Sequence, residues 1–233
     1  MKYDKNRKFV GKMFDDISLS YDSMNHIMSG FQDLRWRKKA VKYLASLDNS
    51  YSNILDLAAG SGDFGKEFLK LDPEKMYSVD LSIGMLEINS GKISCKNNLQ
   101  VKSDAESLPF RDNYFDLCGI GFGIRNFEHL DKCLIEINRV LIKSGRLVVI
   151  EMFKPSGKGI FDKSFKLYFE KIIPKIGNTI SGSDYAYDYL FQSVDNFLSV
   201  DDFISMAERT GFKLEKKERN FSKVVYSVFF QKN

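Results

Sequence analysis

Five short apolar runs follow one another along the chain: NILDLA from Asn53, MYSVDLS from Met76, LQVKSD from Leu99, FDLCGIGF from Phe115 and RLVVIEM from Arg146. Longer polar or amphipathic stretches separate them. This alternation restricts the fold more than any other feature, because strands joined by helical crossovers build a parallel sheet with helices on its faces. The segment Leu130 to Ile142 sets Leu134, Ile137, Val140 and Leu141 on one helical face, and Lys143, Ser144 and Gly145 read as its basic, glycine-capped end. Near the C-terminus, FKLEKKERN and VVYSVFFQK read as two adjacent strands, a hairpin at the sheet edge. Ahead of the first strand, FVGKMFDDISLSYDSMNHIMSG and WRKKAVKYLASL predict two or three helices and no strand. With 233 residues, 43% of them hydrophobic, the chain has material for one core and is expected to be a single domain.

Composition removes several classes of function. The net charge of +4 is too modest for a nucleic-acid footprint. Cys95, Cys118 and Cys133 are odd in number and lack C-x-x-C spacing, which points to a reducing compartment and neither a disulfide framework nor a zinc knuckle. His26 and His129 are the two histidines, and no H-E-x-x-H pattern is present, so no metal is expected. The start lacks an apolar signal core, and no uncharged apolar run approaches the roughly 18 residues of a membrane span. A soluble, cytoplasmic protein is the expectation, with contact at the inner membrane surface left open.

The strongest local signal is ILDLAAGSGDFG, Ile54 to Gly65, where an apolar strand breaks into a glycine turn and a helix start follows. A nucleotide-like ligand fits there. GSGDFG also satisfies G-x-G-x-x-G, with Asp80 at the distance of a ribose-binding carboxylate, so a dinucleotide is a rival. Two features favour another cofactor. Asp56 stands inside the strand, where a carboxylate is costly unless it meets a cation such as the amino group of a methionine moiety, and where a pyrophosphate would be repelled. DAESLPF, Asp104 to Phe110, directly after the third strand, can read an exocyclic adenine amine. An ordinary tight turn would also account for Gly60 and Gly62, and a helix N-cap for Asp104.

These features resemble the class I S-adenosylmethionine-dependent methyltransferases. More narrowly, YDSMNHIMSG, LDLAAGSGDF, AESLPFRDNYFD, GFGIRN, RVLIKSGRLVVIEMFKP and IIPKIGNTISGSDYAYDYLFQSV resemble the C-methyltransferases of menaquinone and ubiquinone biosynthesis, in the family's order and over nearly the whole chain. The resemblance implies a Rossmann-like α/β fold: a mostly parallel seven-stranded sheet with an antiparallel edge strand and helices on both faces. Residues 1–50 would form an N-terminal helical lid, and 51–233 the core with a substrate-covering insertion around 153–195. It implies transfer of a methyl group from S-adenosylmethionine to a ring carbon of a polyprenylated quinol, demethylmenaquinol or the methoxy-polyprenyl benzoquinol. A methyltransferase acting on oxygen or nitrogen, and a non-catalytic cofactor-binding subunit of a biosynthetic complex, are the rival readings. Cofactor positions carried over by the resemblance are Ser61, Asp80, Asp104 and Ala105. A further one, often serine, is Gly121 here, a backbone candidate only.

The acceptor carbon gains nucleophilicity when a quinol hydroxyl ionises, and a fixed cation beside that oxygen stabilises the charge. Arg125 is expected in that role and Asn126 as an orienting partner, both at the carboxyl end of a strand. A structural arginine satisfying helix-end carbonyls or paired with Asp22 or Glu128, and an N-cap asparagine, are the plainer alternatives. Tyr21 and His26 are candidates to relay the proton through water, and Tyr21 with Asp22 to fasten the lid. The segment from Gly157 to Gly177 places Phe161, Phe165, Phe169 and Ile172 near one face among lysines, as an interfacial or pocket-covering helix would. Tyr185, Tyr187 and Tyr189 are expected to line a ring site or pack the lid. Where relatives have glycine-rich GGIVALH-like text this chain has FSKVVYSVFFQKN, so edge packing is expected to differ, and a homodimer is compatible with it.

Overall fold

A computed structural model describes residues 5–47, 50–155 and 184–233, the side chains of 184–188 and 191 excepted. The interfacial segment read from Gly157 to Gly177 therefore lies outside the described residues, as do the side chains of Tyr185 and Tyr187. The elements are α1 (Arg7–Ser29), α2 (Gln32–Ser46), β1 (Asn53–Leu57), α3 (Asp63–Phe68), β2 (Lys75–Asp80), α4 (Ile83–Lys92), β3 (Asn98–Lys102) and β4 (Phe115–Gly121). After a 3-10 turn at Ile124–Asn126 come α5 (Leu130–Val140), β5 (Leu141–Met152), α6 (Asp184–Asp195), α7 (Val200–Arg209), β6 (Phe212–Phe221) and β7 (Val225–Lys232).

Seven strands form one sheet in the order β3-β2-β1-β4-β5-β7-β6. All pairs from β3 to β5 are parallel, and β7 runs antiparallel between β5 and β6, so the last two strands make the expected hairpin at the sheet edge. Strand order reverses between β1 and β4, and a crevice opens there at the carboxyl ends, the place where open α/β sheets bind ligands.

Alternation along the strands divides the core in two. Leu55, Leu57, Cys118, Ile120, Leu147 and Val149 face α5 and α7, packing on Leu134, Ile137, Phe203 and Ala207. Ile54, Leu117, Val148, Ile150 and Phe229 face the other way, onto Ala40, Val41 and Leu44 of α2 and Phe64 and Phe68 of α3. Asp56 shares the parity of Ile54, so its carboxylate is directed to the α2 and α3 side. That fact decides much of the site.

Two helix ends have separate causes. α1 stops at Gly30, whose left-handed backbone (φ 58°) lets its amide and that of Phe31 satisfy the last carbonyls, and α2 begins at once. α5 ends at Val140, earlier than its sequence suggests and without a glycine cap. Leu141 already pairs with Phe115 in the sheet, and Gly145 serves a bend inside β5 where the β4 to β5 register shifts. Tertiary pairing overrides the local helix signal there.

Gly119 of β4 lies beneath the Phe68 ring, and a Cβ there would stand 2.1 Å from Phe68 Cζ. Gly119→Ala should cost about 1–3 kcal/mol in denaturant unfolding, and Phe68→Leu in the same chain should recover part of that loss. An unchanged midpoint for Gly119→Ala would show that the sheet yields at this point.

Candidate functional site

The crevice divides into three cavities that share one wall, the side chain of Tyr21. The largest, about 740 Å³, is lined by Gly60, Asp80, Asp104, Ala105, Gly121 and Asn126 among others. A second, about 320 Å³, lies over the glycine turn against Arg37, Asp56, Ser61 and Gly121. The third, about 460 Å³, is apolar, lined by Met13, Ile17, Met24 and Met28 of α1 and by Tyr189, with Arg125 at its wall. Tyr21 lines all three.

In the first cavity Asp80 accepts from the Gly60 amide at 2.8 Å through one oxygen and from the Ser82 amide at 2.9 Å through the other. Burial raises its pKa above the ordinary carboxylate value, with the amides of Ser82, Gly60 and Leu81 working against the rise. Asp104 accepts from the Glu106 amide at 3.0 Å, closing a turn and not capping a helix, and its other oxygen pairs with Arg7 of α1. Asn126 is buried, and its Oδ1 has no hydrogen-bond partner. It caps nothing, since α5 begins four residues later.

In the second cavity Gly60 and Gly62 hold positive φ (52° and 93°), and a Cβ at Gly62 would stand 2.9 Å from Asn89 Nδ2. The turn therefore has two conformational reasons for glycine besides any ligand. Ser61 is buried with its hydroxyl directed to Asp22, and Lys92 bonds Asp22 at 2.6 Å, Asp63 at 2.6 Å and Ser61 at 3.2 Å. Asp22 thus fastens α1 to the glycine turn. Asp56 is only 1% exposed, and neither carboxylate oxygen has a well-formed hydrogen bond. Burial pushes its pKa well up; Arg37 and a marginal contact with the Gly65 amide pull the other way, while Asp80 and Asp63 add to the rise.

Arg125 is buried and paired, but with neither Asp22 nor Glu128. Its Nη1 donates to Glu151 at 2.6 Å and to the Phe122 carbonyl at 2.7 Å, and its Nε donates to Ser193 at 3.1 Å. Although burial disfavours its charge, Glu151 raises its pKa above the usual guanidinium value. Tyr21 is shifted upward by burial, against the nearby Arg125 charge, so its phenol keeps its proton at neutrality. His26 lines none of the three cavities. Its Nδ1 meets Asp33 at 2.9 Å and its Nε2 faces Asp63 at 3.6 Å, which places it in an ionic cluster behind the glycine turn.

Four residues here were not singled out from the sequence. Glu151 ends an apolar strand; Lys92 ends α4; Lys5 lines the large cavity, its ammonium pushed down by burial and by Arg125. Arg37 sits in the run RWRKK, which reads as a solvated face. Its spacing of four from Asp33 was the available signal. Among the described residues two groups of donors, His26, Asp33 and Asp63, and Glu106, Glu128 and His129, come close enough to hold a metal. Cations of the protein already face their carboxylates: Arg37, Lys92, Lys132 and Arg7.

A family model described as the ubiE/COQ5 methyltransferase family matches residues 1–230. The chain belongs to that family. A Thermotoga maritima relative named demethylmenaquinone methyltransferase is 35% identical over 219 residues, 94% of each chain. One of the same name from Thermus thermophilus is 38% identical, over 87% of this chain and 92% of that one. A Rickettsia bellii protein named ubiquinone/menaquinone biosynthesis C-methyltransferase UbiE is 31% identical, covering 98% and 94%. Among solved structures, an S-adenosylmethionine-dependent methyltransferase from Thermotoga maritima aligns with TM-score 0.66 at 18% identity over 95% of this chain and 98% of that one. The [4+2]-cyclase SpnF aligns equally well, TM-score 0.66 at 16% identity, over 96% and 94%. Such likeness identifies the Rossmann-like fold of ubiE/COQ5 members and not their chemistry.

The raised pKa of Asp56 has a consequence for stability. The unfolded carboxyl ionises near the ordinary 3.8, whereas the folded one resists, so the unfolded state binds fewer protons and stability falls as pH rises between the two values. Asp56→Asn should therefore raise the melting temperature of the ligand-free protein, more at about pH 7.5 than at about pH 5. Equal gains at both pH values would show that Asp56 is not held neutral by burial.

Proposed function

We propose that this chain transfers the methyl group of S-adenosylmethionine to a ring carbon of a polyprenylated quinol, with demethylmenaquinol as the preferred acceptor. Family membership and the names of its relatives support the reaction class. The observation that carries the reading is the shared wall at Tyr21, which brings a polar cavity over the glycine turn against an apolar cavity bearing Arg125.

When bound, S-adenosylmethionine supplies an electrophilic methyl on a sulfonium and needs no acid. Asp80, with an acceptor lone pair remaining on each oxygen, is suited to ribose hydroxyls, and Asp104 with Ala105 to the adenine edge. Ser61 and Gly121 line the methionine end, where Gly60 and Gly62 let the backbone approach. Arg125 lends its Nη2, which the contacts of Nη1 and Nε leave for a ligand, to the quinol oxygen as negative charge develops on it. Because Glu151 balances the guanidinium, this help is that of a fixed N–H dipole more than of a bare charge. Tyr21, held protonated, donates to the same oxygen and is not the base. Asn126, through its unpartnered Oδ1, holds a water beside the ring that carries the quinol hydroxyl proton to solvent. The C–CH3 bond forms as the S–CH3 bond breaks, the ring hydrogen is lost as a proton to the same water, and the ring is again aromatic. The methionine side chains of α1 suit an acceptor tail, because thioether chains adapt to irregular apolar shapes. The 1–50 segment would act as the lid that completes this cavity.

Purified protein with S-adenosylmethionine and reduced demethylmenaquinone in micelles should yield one added ring methyl by mass spectrometry. The demethylated benzoquinol, run beside it, is expected to react more slowly. No methylated product from either quinol would overturn the reading. Arg125→Lys, which keeps a partner for Glu151, and Asn126→Ala should each lower turnover roughly a hundredfold. Their affinity for S-adenosylhomocysteine should stay within about threefold of wild type, since neither is assigned to the donor. Full turnover in Arg125→Lys would remove the fork geometry from the mechanism.

A further inference from the structure

The hairpin of α1 and α2 presents a surface that lines none of the three cavities. Ile27 is 43% exposed, Phe31 56% and Leu34 39%, all beside the turn at Gly30 that joins the two helices. Leu19, two helical turns before Ile27 on the same stripe of α1, is 93% exposed. Large apolar side chains exposed singly are ordinary, whereas a group of them at one end of a hairpin marks an interaction surface. The Phe31 ring is held in place there. It stacks on His26 with 5.8 Å between ring centres, and its backbone is left-handed (φ 61°), a conformation that bulky residues rarely adopt. Glycine or asparagine would fill that turn at lower cost, so the aromatic side chain calls for a reason.

The charges beside this tip are sorted by sign. Between Leu19 and Ser46 the acids are Asp22 and Asp33. Asp22 is tied to Ser61 and Lys92, and Asp33 is buried against Arg37 and His26. The cations Arg35, Lys38, Lys39 and Lys42 are all exposed. Phe31, Leu34, Arg35, Lys38 and Lys42 follow one stripe of α2 at spacings of three and four, apolar at the turn and cationic beyond it. Lys39, beside that stripe, pairs with Glu218 of β6.

An apolar tip backed by a row of cations complements a bilayer with anionic headgroups: the tip enters the headgroup layer and the cations meet phosphates. An isologous pairing of two copies over this face would oppose like charges, so the charges select the lipid. We infer that the tip of the α1–α2 hairpin docks on an anionic phospholipid surface, with Ile27, Phe31 and Leu34 entering it and Arg35, Lys38 and Lys42 on its headgroups. Met24 and Met28, on the inner side of the same last turns of α1, line the third cavity, so docking here brings that cavity to the lipid. The inference deepens the reading of a polyprenylated acceptor, whose tail belongs in a bilayer, and rests on that reading for its purpose but not for the contact itself.

Sedimentation with vesicles tests the contact without any quinol. Vesicles of phosphatidylcholine alone are compared with vesicles that also contain phosphatidylglycerol. Wild type should bind the anionic vesicles at least about tenfold more tightly than the neutral ones, and added salt should release it. Arg35→Gln, Lys38→Gln and Lys42→Gln together should lower affinity for the anionic vesicles about 100-fold, at roughly fivefold for each charge near the surface. Phe31→Ser with Leu34→Ser should lower it about tenfold or more with the cations intact. Both variants should keep the melting temperature of wild type. Wild type that ignores the anionic vesicles would overturn the inference, and needs no variant that folds. So would unchanged binding in either variant, which would move the membrane contact elsewhere on the chain. A dimer in sedimentation velocity that Phe31→Ser with Leu34→Ser dissolves would overturn it too, assigning the tip to a second copy. Methyl transfer in micelles is read separately: success there without vesicle binding removes this inference alone, and vesicle binding without methyl transfer removes the proposed reaction and leaves the contact standing.

Discussion

The ion pair of Arg125 with Glu151 is the interaction on which the reactive end of this molecule depends. Glu151 is fully buried at the end of β5, and it accepts from the side chain and the backbone amide of Arg125 and from the Met152 amide. One carboxylate thus ties the turn after β4 to the neighbouring strand and fixes the direction of the guanidinium. Such a pair adds little stability relative to apolar packing, because desolvating both charges offsets their attraction, but removing one partner costs about 3–5 kcal/mol. Its value lies in geometry. It places Arg125 at the wall of the third cavity while Asn126, the next residue, lines the first. Adjacent residues of a 3-10 turn therefore serve two different cavities, which is what the sequence GFGIRN encodes.

α1 contributes to all three cavities. Phe14 lines the first and third, Met13 and Ile17 the third, and Tyr21 every one. It is fastened by charges about two turns apart: Arg7 to Asp104 and Glu128, Asp15 to the Ser82 hydroxyl and the Gly84 amide, and Asp22 to Ser61 and Lys92. These ties reach the loops after β3 and β4, then after β2, then after β1. Because Arg7 and Lys92 are partly exposed, their ion pairs weaken with salt.

How much of this was legible in the sequence depends on whether the signal was local. The strands were legible because each alternates or runs apolar between turn residues, and the terminal hairpin because every residue from Val225 to Phe230 but Ser227 is β-branched or aromatic. Asp56, Asp80, Asp104 and the glycine turn were legible because their positions within or just after a strand are local features. Arg37 and Glu151 were not, since each acquires its meaning from a partner on another element: Arg37 from the parity of Asp56 in β1, Glu151 from the turn that carries Arg125. His26 was singled out for its side-chain chemistry, and the fold sets its Nδ1 against Asp33 and its Nε2 3.6 Å from Asp63, partners the sequence does not announce.

The same distinction explains the premature helix end at Val140. Local pattern extended the helix to Ile142, whereas Phe115 draws Leu141 into the sheet, and the basic residues that looked like a helix terminus fall at a bend of β5. Propensity loses there to a strand pair whose partners are both fully buried. At Asp56 the conflict runs the other way. A carboxylate in a central strand beside Leu55 and Leu57 violates local preference and finds no well-formed hydrogen bond among the described residues. Tertiary structure answers the first violation and leaves the second open. A conflict that packing does not resolve is the one to assign to a ligand.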